Sequence, residues 1–185
     1  MIQETLTEAR QKMDKAIEVT QEQFGTVRTG RANPALFSNL TVDYYGAPTP
    51  LQQLASFQVP EARTILITPY DRGSLGDIEA ALRNSDLGAN PANDGNIIRI
   101  VLPQLTEERR KEYVKLVKTN AEDGKVSIRN IRRKAKESLE RMSKDGDVGE
   151  DEADRGIKEL DEVTKAKTDE IDRLLAAKEA ELLEV

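Results

Sequence analysis

Residues 106–144 read TEERRKEYVKLVKTNAEDGKVSIRNIRRKAKESLERMSK, and they predict one long amphipathic helix. At 100° per residue, the apolar side chains from Tyr113 to Met142 fall within an arc of about 100°, as in a helix packed against other helices. The adjoining arc carries basic side chains, which we call the cationic face: Lys111, Lys115, Lys118, Lys125, Arg129, Arg132, Arg133 and Lys136.

The charge of this helix opposes the charge of the whole chain. It holds 13 Lys or Arg and seven Asp or Glu, a net charge of +6, whereas the chain is −6 and its remainder therefore −12. Only Glu122 and Glu140 lie in the arc of the cationic face. Such a reversal favours a polyanionic partner. A solvated helix surface is the alternative, and the pattern alone does not decide between them.

Two more long helices are predicted from the flanks of the chain. Apolar residues from Ile2 to Val27 recur in alternating steps of three and four, and Gly30 followed by Pro34 predicts where that helix ends. A third helix is expected from about Glu150 to Leu183, which has an apolar stripe. No helix buries its stripe alone, so we expect an antiparallel three-helix bundle rather than one extended coiled coil.

The joints between these helices carry their own signals. Thr106 is a candidate N-cap for the second helix. Gly146 and Gly149 predict the turn between the second and third helices. The same stretch fails as a calcium loop, because Gly149, Glu150 and Gly156 stand at the fifth, sixth and twelfth loop positions, where a ligand, a glycine and a glutamate are required.

The middle of the chain is a different kind of structure. All seven prolines lie between residues 34 and 103, together with five of the seven aromatic residues. Proline breaks helices and aromatic residues favour strands. We predict strands over residues 40–45, 54–59, 64–67 and 96–102, the first ended by a turn at 46–48. A short helix is expected from Ser74, as its N-cap, to Leu87, with Asp77 in a capping-box position and Gly88 at its end.

These elements predict an α+β fold with two domains. Residues 1–30 and 105–185 would form the elongated three-helix bundle, and residues 31–104 would form an inserted β/α/β domain. The chain would pass between the domains near 30–34 and 102–106, and two crossings at one place favour a hinge over a rigid double linker. The expected hinge residues are Gly30, Arg31, Pro34, Pro103, Gln104 and Leu105.

Composition excludes several kinds of chemistry. The chain has no cysteine and no histidine, which excludes disulfides, the usual zinc sites and Ser-His-Asp or Cys-His nucleophiles. No phosphate-binding glycine motif is present, so we expect no cofactor, no metal and no enzymatic activity. The N-terminus lacks a secretory signal and no apolar run could span a membrane, so we expect a cytoplasmic protein.

Four strings of residues are similar to one protein family. They are RTGRANP at 28–34, YYGAPTPL at 44–51, LTEERRK at 105–111 and RNIRR at 129–133. In order, spacing and overall length, the chain resembles the bacterial ribosome recycling factors over its whole extent. Each string alone is weak evidence, but the four together are highly specific.

The resemblance implies both shape and function. Proteins of this family are L-shaped, near transfer RNA in size, monomeric in our expectation, and not enzymes. They bind the large ribosomal subunit after termination and, with elongation factor G and GTP hydrolysis, help to split the ribosome and release it from messenger RNA. The smaller domain is the part that such factors present to elongation factor G.

The resemblance also assigns ribosomal RNA contacts. It places Arg129, Arg132 and Arg133 among them, with Arg28, Arg31 and Arg110 as companions, while the lysines, including Lys118 and Lys125, mainly steer the approach. Arginine suits this role because its planar guanidinium contacts phosphate with two hydrogen bonds. For Arg132 the alternative is a residue at the edge of the bundle, whose stem packs on Ile128 or Ala135.

Two other functions are weaker alternatives. A protein–protein adaptor would use the helical stripes to engage another coiled coil, and would self-associate or capture partners without the ribosome. A carboxylate-based hydrolase would rest only on scattered acidic residues.

Overall fold

The computed structural model describes residues 1–87 and 90–184, and this part of the chain divides into two compact units. The helical unit takes in Met1–Phe24 and Lys115–Ala180, and the sheet unit takes in Gly25–Val114 with the described residues from Glu181 onward. Long helices and a small sheet domain confirm the α+β fold class. Both segments expected to act as hinges, 30–34 and 102–106, fall inside the sheet unit.

The chain forms four α-helices and six strands in its described part. In chain order they are α1 (Ile2–Thr26), β1 (Thr41–Tyr44), β2 (Ala47–Pro50), β3 (Ala55–Glu61), β4 (Thr64–Pro69), α2 (Leu75–Arg83), β5 (Pro91–Asn93), β6 (Ile98–Val101), α3 (Glu107–Lys144) and α4 (Glu150–Leu183). In the described part of the chain, no helix is both long enough and apolar enough to cross a membrane.

The helical unit is a bundle of α1, α3 and α4, as the apolar periodicity predicted. The three helices have 25, 38 and 34 residues, which gives lengths of about 37, 57 and 51 Å. Two places where all three helices meet show that α3 runs opposite to α1 and α4: Ile2, Leu139 and Gly156 at one, and Thr20, Gly124 and Ile171 at the other. The centre is formed by fully buried side chains, among them Met13, Ile128, Leu139, Leu160 and Ile171.

The helix ends agree with the sequence signals at three of four joints. Thr106 is the N-cap of α3, because its Oγ1 accepts a hydrogen bond of 3.2 Å from the Arg109 backbone N–H. Helix α4 begins at Glu150 as expected, and Gly146 makes the preceding turn with a φ of 78°. The prediction that the first helix runs to Gly30 was wrong. It ends at Thr26, and the Thr29 Oγ1 accepts the Arg31 N–H, a local bond that competes with helix.

The sheet unit contains a hairpin and a four-stranded antiparallel sheet. The hairpin pairs β1 with β2, and the sheet has the order β3-β4-β6-β5. Helix α2 closes the core with Ile78, which is fully buried. The largest buried side chains of this core are Phe37, Leu51, Ile65, Ile67, Ile98 and Ile100.

Two strands and one helix boundary differ from the sequence prediction. Strands β2 and β5 were missed, because prolines at Pro48, Pro50 and Pro91 argue against a strand unless it lies at an edge, where both of these lie. Helix α2 ends at Arg83 instead of Leu87, and the predicted terminator Gly88 lies outside the described residues.

The predicted capping box of α2 was also wrong. The Ser74 side chain makes no capping bond, and its hydroxyl donates to the Asp71 carbonyl at 2.6 Å. The carboxylate of Asp71 instead caps the short 3₁₀ turn just before α2, accepting from the Gly73 N–H at 2.9 Å.

Candidate nucleic-acid interface

The cationic face of α3 lies beside an acidic edge of α4 in the helical unit. The Arg132 Nε–H donates to the Asp161 Oδ1 at 2.6 Å. Lys125 pairs with Asp172, and the Lys118 Nζ lies 3.8 Å from the Glu179 Oε1. Three of the cations assigned to RNA are therefore already paired with carboxylates 29 or more positions later in the chain.

The other two arginines of this face are open to solvent. Arg129 pairs with Glu122 on its own helix at 3.1 Å, and its side chain is 55% exposed. Arg133 is exposed and forms no ion pair with any residue in 1–87 or 90–184. Arg132 lies between, with 36% of its side chain exposed. Arg132 bridges α3 to α4. Among the three arginines of this face it also lies nearest the apolar stripe, about 40° from Ile128 around the helix axis.

These ion pairs leave the face able to exchange partners, since at least one side chain of each pair is well exposed. Each pair between exposed side chains contributes only about 0–1 kcal/mol, because water and salt screen it and two long side chains lose freedom. A phosphate that reached Arg132 would replace one charged hydrogen-bond acceptor by another. The face is therefore a weakly self-neutralised cationic surface rather than a rigid structural network.

In the sheet unit, Arg28 is a buried arginine with unsatisfied donors. The residue is 7% exposed, and its Nε and Nη2 have no hydrogen-bond partner within the described chain. Burial lowers the pKa of the Arg28 guanidinium; Tyr113 opposes this effect and the positive charge of Arg63 adds to it, but arginine stays protonated in proteins. The Nε of Arg110, a half-buried residue at the start of α3, also has no partner there.

A cleft of the sheet unit collects several of these residues. Its volume is about 340 Å³. Both acids in its lining belong to the C-terminal segment, and the Arg31 Nε lies 3.5 Å from the Glu184 Oε2. The lining residues are Gly30, Arg31, Ala62, Arg63, Gln104, Arg110, Glu181 and Glu184.

The structure thus divides the predicted site between two units. Arg129, Arg132, Arg133, Lys118 and Lys125 belong to the helical unit, whereas Arg28, Arg31 and Arg110 belong to the sheet unit. The expected hinge residues, which all lie in the sheet unit, differ in burial: Leu105 is buried, whereas Pro103 and Gln104 are exposed.

Sequence reasoning missed Arg63. This residue lies between β3 and β4, and its carbonyl accepts a 2.7 Å hydrogen bond from the Leu102 N–H. It carries charge next to Arg28, yet it belongs to no basic run and no helical face. Its only sequence signal is a position in a two-residue turn between strands, which is too common to indicate a site.

Comparisons with known proteins agree on one family. A family model described as ribosome recycling factor matches residues 20–183. A ribosome-recycling factor from Renibacterium salmoninarum is 70% identical over 185 residues, which are 100% of both chains. A solution structure of the ribosome recycling factor has a TM-score of 0.77 and 38% identity, and covers 100% of this chain and 98% of that one.

A further solved structure includes a second protein factor. It is described as models for the T. thermophilus ribosome recycling factor and the E. coli elongation factor G bound to the E. coli post-termination complex. Its chain is 43% identical to this one, with a TM-score of 0.71 and 100% coverage of both chains.

Proposed function

Because the chain belongs to the ribosome recycling factor family of non-enzymatic translation factors, we propose that it acts on the post-termination ribosome. In this proposal it binds the large subunit through ribosomal RNA, as a monomer in the cytoplasm. With elongation factor G and GTP, it promotes separation of the subunits and their release from messenger RNA. The relative described together with elongation factor G on a post-termination complex supports the choice of partner.

The observation that best supports RNA binding is Arg28, a buried residue whose Nε and Nη2 find no hydrogen-bond partner among the described residues. A buried charged donor without an acceptor destabilises a fold by a few kcal/mol, so such a group is expected to have an acceptor in some state of the protein. Phosphate oxygens suit it, since guanidinium and phosphate form short, charge-assisted hydrogen bonds. RNA helices are recognised mainly through their backbone and shape, which requires few aromatic side chains.

The arginines of α3 add a second group of contacts to the proposal. Arg129, Arg132 and Arg133 lie within two turns of one helix, so their guanidinium groups can follow neighbouring phosphates. Lys118 and Lys125, which pair with acids of α4, contribute mainly to the long-range field that brings the RNA to the surface.

The test of the proposed function is a splitting assay on purified post-termination ribosomes. The chain, elongation factor G and GTP together are expected to convert 70S particles into free subunits, whereas omission of any one of them leaves the particles intact. Sedimentation or light scattering measures the conversion. Splitting that needs neither the elongation factor nor GTP, or no splitting with all three, would contradict the proposal.

Arg133→Ala is expected to weaken binding to isolated large subunits and to leave the melting temperature unchanged. The side chain is exposed and unpaired within the described chain, so its removal costs no internal contact. Loss of one phosphate contact should reduce the slope of log affinity against log salt by about 1. Arg141→Ala, which removes an exposed arginine elsewhere on α3, is the matched control. An equal effect of both variants would show that only net charge matters.

Asp161→Asn is expected to strengthen large-subunit binding, because it frees Arg132 from its ion pair. The free energy of unfolding should fall by less than about 1 kcal/mol, as for other exposed ion pairs. Asp154→Asn, an exposed acid of α4 without an ion pair among the described residues, controls for the change in net charge. Weaker binding in Asp161→Asn would indicate that the bridge holds Arg132 in its binding conformation.

A further inference from the structure

One tyrosine of the sheet unit has an unusual backbone conformation. Tyr45 has a φ of 50°, and among the described residues it is the one non-glycine residue with a positive φ. It occupies the two-residue turn between β1 and β2, followed by Gly46 with a φ of 85°. Hairpin turns of this kind favour asparagine or glycine at the first position, because a bulky residue there costs about 1 kcal/mol or more. The tyrosine is therefore not explained by the turn itself.

The side chain of Tyr45 is largely exposed to solvent, yet a hydrogen bond holds it in place. It is 80% exposed, and its hydroxyl donates to the Asp71 Oδ2 at 2.9 Å. Tyr44 donates to the same oxygen at 3.1 Å, and the two rings meet edge to face with centroids 4.6 Å apart. The Asp71 Oδ1 accepts the Gly73 N–H, so both carboxylate oxygens are in use. An exposed aromatic ring held this way loses little conformational freedom when a partner covers it.

The surroundings of this ring are acidic. The Gly73 N–H, followed by the two tyrosine hydroxyls, holds the pKa of Asp71 below its usual range, so this carboxyl is ionised at neutral pH. The Asp43 Oδ1 accepts the Gly46 N–H at 2.9 Å, and Asp77 is near enough to contribute to the raised pKa of Tyr45, after the larger effects of Asp71. Exposed Arg72, which follows Asp71 in the chain, offsets one of these three carboxylates, so the surface keeps a net negative charge and an RNA backbone is a poor partner for it.

We propose that the surface formed by Tyr45, Asp43, Asp71 and Asp77 docks a basic, arginine- or lysine-bearing surface of the elongation factor. The inference rests on the proposed function and specifies which residues meet the protein partner. Tyrosine is among the residues most enriched at the energetic centres of protein interfaces. Its ring face attracts cations, and the surrounding carboxylates pair with them and steer the encounter.

Substitutions at Tyr45 separate docking from folding. Tyr45→Ala is expected to raise the concentration of elongation factor G needed for half-maximal splitting about tenfold or more. Tyr45→Gly should have the same effect on splitting, yet its melting temperature should equal or exceed that of the unaltered chain, because glycine adopts a positive φ without strain. Binding of both variants to large subunits without elongation factor should stay within twofold of the unaltered chain.

Two further variants test the ring and the charge. Tyr70→Ala is the matched control, since Tyr70 is a tyrosine of the same unit that is 72% exposed, and it should leave the elongation-factor dependence unchanged. Asp71→Asn keeps one side-chain oxygen as acceptor for the hydroxyls, loses the acceptor of the Gly73 N–H and removes the charge, so it should weaken the response to the factor most at low salt.

Several results would overturn the inference. An unchanged factor requirement in Tyr45→Ala and Tyr45→Gly, or an equal loss in Tyr70→Ala, would exclude a specific docking surface. A loss of large-subunit binding as large as the loss of splitting would show that the ribosome, not the factor, covers this surface. If the unaltered chain drives no splitting at all, the proposed function fails and this inference fails with it.

Discussion

Arg28→Met is expected to weaken binding to large subunits about tenfold or more while leaving the fold as stable as before, or more stable. The guanidinium is buried, and its Nε and Nη2 find no acceptor in the described chain. Methionine matches the arginine side chain out to about Nε and removes the donors, and replacing a poorly satisfied buried charge by an apolar group is often neutral or stabilising. A purely structural arginine would show the opposite pattern.

Two measurements on Arg28→Met together distinguish a phosphate ligand from a structural arginine. Urea unfolding gives its stability, and equilibrium binding to isolated large subunits gives its affinity at several salt concentrations. Arg99→Met is the matched control, because it removes the same charge from an exposed strand position of the same unit. A large loss of stability, or a loss of affinity no greater than that of the control, would contradict the role of Arg28 as a phosphate ligand.

Gly124→Ala is expected to lower the free energy of unfolding, although alanine is the better helix former. Alanine should gain up to about 1 kcal/mol in helix propensity. Its methyl group, however, would overlap the Thr20 Oγ1 and lie 3.0 Å from the Ile171 Cδ1. Overpacking of this kind costs about 1–3 kcal/mol, so we expect a net loss of about 1–2 kcal/mol. Urea unfolding of the full chain, followed by circular dichroism, measures it.

The partner residue supplies a rescue experiment for Gly124. In a Thr20→Ala background the main overlap is gone, so Gly124→Ala should cost less there than in the unaltered chain, a coupling that a double-mutant cycle quantifies. Gly76→Ala is the control of opposite sign, because a methyl group at Gly76 in α2 would have no neighbour within 4 Å. It should stabilise the chain by about 0.5–1 kcal/mol. Additive costs of Thr20→Ala and Gly124→Ala would rule out the proposed overlap.

The long helices were predictable because their signals are local. Apolar residues at helical spacing and the N-cap at Thr106 set α3 and α4 without reference to the rest of the chain. From the sequence alone, a glycine in the middle of α3 indicates only a weaker helix. The structure shows that Gly124 is the point where three helices approach closely, which depends on residues about 100 and 50 positions away.

The edge strands and the end of α2 depended on tertiary context. Strands β2 and β5 have four and three residues, and each pairs with one neighbour only. Their prolines look like turn residues until that neighbour is known. At the start of α2, the Ser74 hydroxyl donates to the Asp71 carbonyl and does not cap the helix amides. A capping pattern in the sequence does not show which of these two hydrogen bonds forms.

The candidate site was predictable by residue type but not by environment. The cationic face follows from charge at helical spacing, and the arginine strings at 28–34 and 129–133 came from the family resemblance. Pairing of Arg132 with Asp161, burial of Arg28 and the presence of Arg63 beside it all require the folded chain. Sequence alone therefore indicates the candidate RNA-binding residues more readily than how strongly each is already engaged within the chain.

The acidic edge of α4 means that the protein carries its own counterions. When a phosphate reaches Arg132, the group released is Asp161, which stays attached to the chain and competes for the arginine again at once. The freed carboxylate attracts cations in its turn, which offsets part of the cations that the RNA releases, so the salt dependence of binding should be smaller than the number of arginine contacts suggests. Such a surface favours rapid exchange over tight capture.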